Sequence, residues 1–221
     1  MIKFIASIIF IMFTYGCASY TEPHTEALAK SETTYNSFSE FTYQPLATNE
    51  KKEFLIEPGY PVFRFETGKS YFLSLQIPDP KPSFVNITSR PIGQWIPTSH
   101  MLYPIALFLN EKFEVIQQTQ PMLVHNPRFM HGMDFDSQTE IPPGAKYLVL
   151  HSVPAAYGQR VALFGAKLDK ERGERTVSVP LAGGGIMFFN TPDYAESTTV
   201  GPTGRLWVEY SSTKLELPNQ K

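Results

Sequence analysis

The chain has a single cysteine, Cys17, among its 221 residues, so a disulfide bond within the chain is excluded. Charged residues make up only 18% of it, and 19 basic residues against 21 acidic ones leave a net charge of −2. The sequence also lacks a basic stripe interleaved with aromatic residues, which a nucleic-acid surface requires. We therefore expect no nucleic-acid partner.

Helical patterning is scarce too. Beyond the N-terminal segment, no stretch carries an apolar stripe at helical spacing over a useful length, which argues against helical bundles and doubly wound α/β folds. The 19 prolines and the 14% of aromatic residues instead favour strands and turns.

Motifs for catalysis are missing. There is no G-x-S-x-G motif for a serine hydrolase, and the glycines of LAGGGIMFF precede an apolar strand rather than the helix that a phosphate-binding loop requires. The acidic residues fall mostly at turns, so no two carboxylates can be placed across a cleft as glycoside hydrolysis needs. We expect the protein not to be an enzyme and to need no cofactor.

The densest group of potential metal ligands is HNPRFMHGMDFD, residues 125–136. On a strand, Asp134 and Asp136 would share one face with Phe135 opposite, and His131 could join either carboxylate around a metal ion. However, the spacing matches neither H-x-x-x-H nor H-E-x-x-H. We interpret this stretch as a solvated loop and strand face, and we predict no metal site.

The first residues have the pattern of a signal peptide. Lys3 supplies one positive charge, and residues 4–15 are uncharged and almost wholly apolar, but this run is shorter than the ~20 residues that span a bilayer. Gly16 followed by Cys17 resembles the processing site of bacterial lipoproteins. We predict a lipoprotein-type signal peptide over residues 1–16 with Cys17 as the lipidation site. The alternatives are an ordinary secretory signal with an incidental cysteine and an anchor that is not cleaved.

Acyl chains on Cys17 would hold the protein on a membrane, because each buried CH₂ group contributes ~0.8 kcal/mol. Ala18 follows the cysteine. In enterobacteria-like sorting, the absence of Asp there implies the outer membrane. We predict a lipid anchor on the periplasmic face of the outer membrane, with a soluble periplasmic protein as the alternative. Residues 17–35 are rich in Ser, Thr and Glu and predict a flexible tether, although EALAKSE could form a turn or two of helix.

Residues 36–215 predict one all-β domain, a single antiparallel β-sandwich-like fold. Turn signals recur at roughly the 8–12-residue spacing of sandwiches and barrels. Within KSYFLSLQIPD, the alternation places Tyr71, Leu73 and Leu75 on one strand face and Phe72 on the other. The preceding YNSFSEFTYQPL has too many large apolar side chains for a free linker, so we expect it to pack on the domain.

Five stretches of the domain follow one another in a recognisable order: FSEFTYQPL, PVFRFETGKSYFLSLQIPD, YPIALFLNEKFEVI, GAKYLVLHSVPAAYGQRVAL and GPTGRLWVEY. This order resembles that of the maltose-operon periplasmic protein family (MalM) and covers roughly Phe38 to Tyr210. The resemblance is carried by turns and apolar strands, without a catalytic motif. It implies an accessory role in maltodextrin uptake, through binding of a sugar or of the porin.

Candidate ligand-binding residues lie in IGQWIPTSH, residues 92–100, which we interpret as a loop. An oligosaccharide would stack a ring on Trp95 and form hydrogen bonds with Gln94 and His100. The alternative is that the aromatic residues, including Trp207 in an alternating strand, belong to the core.

A second class of function also fits. An envelope interaction protein unrelated to sugar would bind an outer-membrane protein through an exposed β edge or loop. The sequence leaves both classes open.

Overall fold

A computed structural model of the chain describes residues 22–93, 99–128, 132–162, 175–180, 186–191 and 197–215. These residues contain helix α1 (Glu22–Lys30) and two short 3-10 helices, Phe38–Glu40 and Pro154–Ala156. The strands are β1 (Gln44–Pro45), β2 (Lys51–Ile56), β3 (Val62–Phe65), β4 (Gly68–Gln76), β5 (Phe84–Arg90), β6 (His100–Leu102), β7 (Ile105–Leu109), β8 (Val115–Thr119), β9 (Val124–Arg128), β10 (Gly132–Glu140), β11 (Tyr147–His151), β12 (Arg160–Ala162), β13 (Arg175–Pro180), β14 (Ile186–Thr191), β15 (Ser197–Gly201) and β16 (Gly204–Ser211).

Two sheets form a sandwich. Sheet A has the order β1-β4-β11-β7-β8, with β3 also paired to β4, and sheet B has the order β2-β16-β5-β10-β9. Every pairing within the two sheets is antiparallel except that of β1 with β4. A smaller sheet joins β12, β15 and β6, and β13 pairs with β14. The architecture confirms the predicted all-β, sandwich-like fold.

The main core lies between sheets A and B. Strand β16 shows how the sequence builds it, since Leu206, Val208 and Tyr210 are buried while the residues between them remain partly exposed. Leu73 and Leu75 of β4 belong to the same apolar cluster from the opposite sheet. Burial of each such side chain contributes ~1.5–3 kcal/mol, so period-2 alternation on both sheets specifies the sandwich.

Sheet A is buried on its outer face as well, the face directed away from sheet B. Phe72 of β4 belongs to a second apolar cluster there, and Phe41 stacks on it with ring centroids 4.2 Å apart. Tyr35, Phe38 and Tyr43 pack against the same cluster. The aromatic stretch before β1 therefore covers the outer face of sheet A, which confirms that it packs on the domain.

Residues 22–35 differ from the predicted flexible tether. Leu28 of α1 is only 3% exposed and lies in the main core cluster. The Nζ of Lys69 donates hydrogen bonds to the carbonyl oxygens of Ala29, at 2.7 Å, and Ser31, at 2.8 Å. A lysine in this position satisfies carbonyl groups that the end of a helix leaves without partners. The helix is therefore docked on the domain at its apolar side and at its C-terminal end.

The predicted signal peptide, residues 1–16, and the predicted lipidation site, Cys17, lie outside the described residues. Within the ranges given above, no helix has the length and apolar character that crossing a membrane would require. The prediction for the N-terminus stays a prediction.

Candidate functional site

A cleft opens on the outer face of sheet A, and we call it the outer-face cleft. Its volume is about 260 Å³. Its lining includes Phe38, Phe63, Arg64, Glu66, Gln118 and His151. These residues come from the aromatic stretch before β1, from the β3–β4 hairpin and from strands β8 and β11, so the cleft is assembled from segments that are distant in sequence.

One wall of the cleft is the β3–β4 hairpin. Phe65 pairs with Gly68, which leaves Glu66 and Thr67 as a two-residue connection. Gly68 has a φ of +121°, and a Cβ atom there would lie 3.0 Å from Cγ of Pro154, so glycine suits both the turn and the contact. This tight turn fixes the register in which β3 pairs with β4.

That alternation divides the wall into an apolar side and a polar rim. Phe63 and Phe65 pack against the apolar cluster of the outer face, whereas Arg64 and Glu66 are exposed. The two aromatic rings lie 5.0 Å apart in an edge-to-face arrangement. The hairpin thus presents aromatic surface beside one positive and one negative side chain.

The opposite wall is β8, the last strand of sheet A. Leu107 and Leu109 belong to the outer apolar cluster, and their antiparallel partners are Gln118 and Val115. Because side chains of directly opposed residues lie on the same face, Val115 and Gln118 border the cleft. The backbone irregularity between Phe108 and Leu109 accommodates this register, in which Val115 and Gln118 are three residues apart.

His151, at the end of β11, lies in the floor of the cleft. Its imidazole stacks flat on Phe65, with centroids 3.8 Å apart and an interplanar angle of 5°. Its Nδ1 is 3.0 Å from the carbonyl oxygen of Ser152. Burial lowers the pKa of His151 to about 4, so the imidazole is neutral at pH 7. A carbonyl oxygen only accepts hydrogen bonds, so Nδ1 carries the proton and Nε2 has a free lone pair.

The cleft combines apolar and polar groups. Aromatic surface, a guanidinium group, a carboxylate, an amide and a neutral imidazole converge on a space slightly smaller than the ~300 Å³ at which typical small-molecule sites begin. Among the described residues, no three His, Cys, Asp or Glu side chains are grouped as ligands of a metal ion. The cleft therefore suits a small uncharged or weakly charged ring.

The residues predicted to bind a ligand lie elsewhere. Trp95 and Gln94 fall outside the described residues. His100, by contrast, is completely buried, and its Nε2 lies 2.8 Å from Oγ1 of Thr203. Burial, and secondarily the neighbouring His24, lowers the pKa of His100 to about 4. The ring of His100 lies 4.9 Å from that of His24 on α1, and contact of His100 with a ligand stays a prediction.

The outer face of sheet B carries a polar ladder. Arg90 forms two hydrogen bonds with the carboxylate of Asp134, at 2.6 and 2.9 Å. The guanidinium of Arg90 also lies over Trp207, 4.5 Å from its ring centroid, with Arg205 at 5.9 Å. Trp207 is thus half-buried beneath arginine side chains on the outer face, rather than part of the core.

Asp134 and Asp136 share one face, as predicted, while Phe135 points into an apolar cluster. The expectation of a solvated face was wrong, because each aspartate is only 4% exposed. Asp134 pairs with Arg90, and Asp136 accepts a hydrogen bond from Thr88 at 2.6 Å. The imidazole of His131 lies outside the described residues.

No protein-family model matches the chain, and no curated protein or solved structure matches it. The fold is an all-β sandwich with a small cleft on the outer face of sheet A, and the resemblance to the maltose-operon family stays a prediction.

Proposed function

We propose that this protein is a non-enzymatic accessory protein of the bacterial envelope that assists carbohydrate uptake by holding one sugar ring in the outer-face cleft. The observation that carries the proposal is the convergence of the Phe38 and Phe63 rings with the hydrogen-bonding groups of Gln118 and His151. A pyranose has an apolar C–H face and an edge of hydroxyl groups, and the cleft has surface for both.

The charges of the cleft support an uncharged ligand. Arg64 and Glu66 flank Phe65 on one hairpin, so the positive and the negative side chain offset each other at the rim. The volume of about 260 Å³ suits one ring of an oligosaccharide rather than a whole chain. The remaining rings would extend past β8, which is the open edge of sheet A.

The proposed location of the protein and the proposed ligand are inferred from features of the sequence. The lipoprotein-like N-terminus favours attachment through Cys17 to the periplasmic face of the outer membrane, and the resemblance to the maltose-operon family favours maltodextrins. We therefore propose that the cleft binds maltodextrins close to the porin through which they enter.

The binding proposal is tested by calorimetric titration of the full chain with maltotriose, in a detergent without a sugar headgroup. Phe63→Ala is expected to weaken binding at least tenfold, because ~1.4 kcal/mol of lost stacking and burial corresponds to that factor. Gln118→Ala should weaken it several-fold. Its matched control is Gln117→Ala, the adjacent exposed residue that pairs with Phe108 of the main core cluster. Equal affinities of the Gln118 and Gln117 variants, or no binding at millimolar sugar, would contradict the proposal.

The anchoring proposal has its own test. Labelling with a palmitate analogue should depend on Cys17 and disappear in Cys17→Ala, whereas in cells treated with globomycin the labelled protein should keep its signal peptide and migrate at a higher mass. A labelled Cys17→Ala protein would show that Cys17 is not the lipidation site. An unlabelled native protein would remove the anchor and leave a soluble periplasmic protein.

A second candidate function is binding of an outer-membrane protein through the edge of sheet A. Strand β8 pairs with β7 and exposes two large apolar side chains, Val115 at 46% and Ile116 at 40%. Edge strands of this kind can be extended by a strand of a partner. A photo-cross-linker at Ile116 that captures one porin in cells, with affinity for maltotriose absent, would favour this function over sugar binding.

A further inference from the structure

His151 is the residue of the outer-face cleft that most needs an explanation, because burying its polar imidazole costs free energy. Its neighbours across the sheet are Phe72 on β4 and Ile105 on β7, and Phe65 covers its ring. It is 1% exposed. An apolar residue in this place would avoid the cost of burying two polar nitrogen atoms.

Only one of those nitrogen atoms is accounted for. Within the described part of the chain, the carbonyl oxygen of Ser152 is the hydrogen-bond partner that the structure shows for the imidazole, and it occupies Nδ1. The nearby hydroxyl groups are engaged with one another: Ser152 Oγ lies 2.7 Å from the Tyr157 hydroxyl and 3.0 Å from Ser70 Oγ. These contacts leave Nε2 as an acceptor in a side chain that lines the cleft.

We propose, on the basis of the function proposed above, that His151 is the specificity-determining residue of the outer-face cleft, where its Nε2 accepts a hydrogen bond from a ligand hydroxyl group and thereby selects uncharged sugars over anionic ones. A hydroxyl group of a sugar donates this bond, whereas a carboxylate or phosphate has only lone pairs to offer to the same atom. A carboxylate or phosphate group placed at Nε2 would leave that atom without a donor. An anionic sugar that turned a ring hydroxyl group to Nε2 instead would still bring its charge into a cleft lined by Glu66.

The neutral state of His151 fits this role. Burial holds its pKa near 4, so near neutral pH the ring carries no charge that would attract an anion. Arg64 at the rim would attract one, but Glu66 two residues further along the same hairpin offsets it. Nε2 of His151, the acceptor in the floor of the cleft, then determines which of two ligands of similar shape binds more tightly.

The test is nitrogen-15 NMR of the histidine side chains in the full chain, solubilised in lauryldimethylamine oxide, which carries no sugar. The chain has five histidines, and contacts with the Phe65 ring at 3.8 Å assign the signal of His151 without a variant. The probes are methyl α-glucoside and maltotriose, compared with glucuronate and glucose 6-phosphate. Backbone amide shifts at Phe63 and Gln118 report independently whether the cleft is occupied.

We expect both neutral sugars to move the Nε2 signal upfield with the midpoint seen at the Phe63 amide, and the anionic sugars to bind at least tenfold more weakly. If neutral sugars move the Phe63 amide while Nε2 stays unchanged, or if the anions bind equally well, the role of His151 is overturned and sugar binding stands. If no sugar moves any amide of the cleft, both proposals fail. His151→Gln adds a second comparison where it folds, with the discrimination against glucuronate expected to fall at least threefold.

Discussion

The two outer faces of the sandwich satisfy the same requirement by different chemistry. On sheet A, aromatic rings from β3 and from the stretch before β1 cover the strands, as in the stack of Phe41 on Phe72. On sheet B, charged and polar side chains pair across the strands, as in the bidentate contact of Arg90 with Asp134.

The difference shows where a ligand can bind. Planar rings that cover a sheet leave space between them, and the outer-face cleft is such a space. Cross-strand pairs leave little unsatisfied, since Arg90, Asp134 and Trp207 already contact one another. The binding proposed above therefore concerns the outer face of sheet A, and we expect the ladder on sheet B to contribute to stability.

The largest expected effect is the loss of the aromatic cover. Phe72→Ala should lower the free energy of unfolding by about 3–5 kcal/mol, because a large side chain that is 2% exposed leaves a cavity. Trp207→Ala, its counterpart on sheet B, should cost about half as much, since Trp207 is half-buried. Urea denaturation at pH 7 measures both. An equal or larger loss from Trp207→Ala would reverse the comparison.

Breaking the polar ladder should have the next largest effect. Arg90→Met leaves the carboxylate of Asp134 without its partner, and this should cost about 3 kcal/mol. Combining it with Asp134→Asn should recover part of the loss, because the uncompensated charge is removed. Glu53→Gln disrupts the more exposed pair of Glu53 with Arg205, at 3.2 Å, and should cost less than about 1 kcal/mol. If Glu53→Gln lowered the free energy of unfolding more than Arg90→Met, burial would not explain why the pair of Arg90 with Asp134 contributes more to stability.

The buried histidines predict a pH dependence. The pKa of His151 and that of His100 are each about 4 in the folded chain, below the value of about 6.5 expected when unfolded. The unfolded chain therefore binds more protons between these values, so stability is complete above about pH 6.5 and is lost as the pH falls towards 4. Denaturation midpoints between pH 7 and 4 measure the loss, and His151→Gln should flatten the curve. A curve unchanged by that substitution would show that His151 does not contribute.

The smallest effect concerns the rim of the cleft. Gln118→Ala and Gln117→Ala should each change the free energy of unfolding by less than about 0.5 kcal/mol, because both side chains are exposed on the edge strand. The same denaturation experiment checks this. A loss above 1 kcal/mol for Gln118→Ala alone would mean that its effect on binding cannot be separated from folding.

Much of the fold was predictable because alternation is a local signal. The period-2 pattern of GRLWVEY matches the burial of β16, and the NEK turn forms between β7 and β8. The pattern of KSYFLSLQ separates Tyr71, Leu73 and Leu75 from Phe72, which lie in different apolar clusters, although β4 is buried on both faces. The aromatic stretch before β1 was predicted to pack because its apolar side chains could not remain in water. The docking of α1 was missed, since its only large buried apolar residue, Leu28, gives no helical stripe.

The cleft was not predictable in the same way. Its walls and floor come from Phe63, Gln118 and His151, which meet only through non-local strand pairing. A buried histidine in the apolar strand YLVLH was a detectable anomaly. The polar sequence around His100 indicated an exposed loop, whereas this histidine lies in β6 and is buried beside α1.

The central claim is that the outer face of sheet A, and not that of sheet B, binds sugar. A crystal structure of the full chain grown with maltotriose tests it most directly. The account predicts a pyranose ring in the outer-face cleft, packed against Phe63 with a hydroxyl group within hydrogen-bond distance of His151 Nε2. A sugar stacked on Trp207, with the cleft unoccupied, would contradict it.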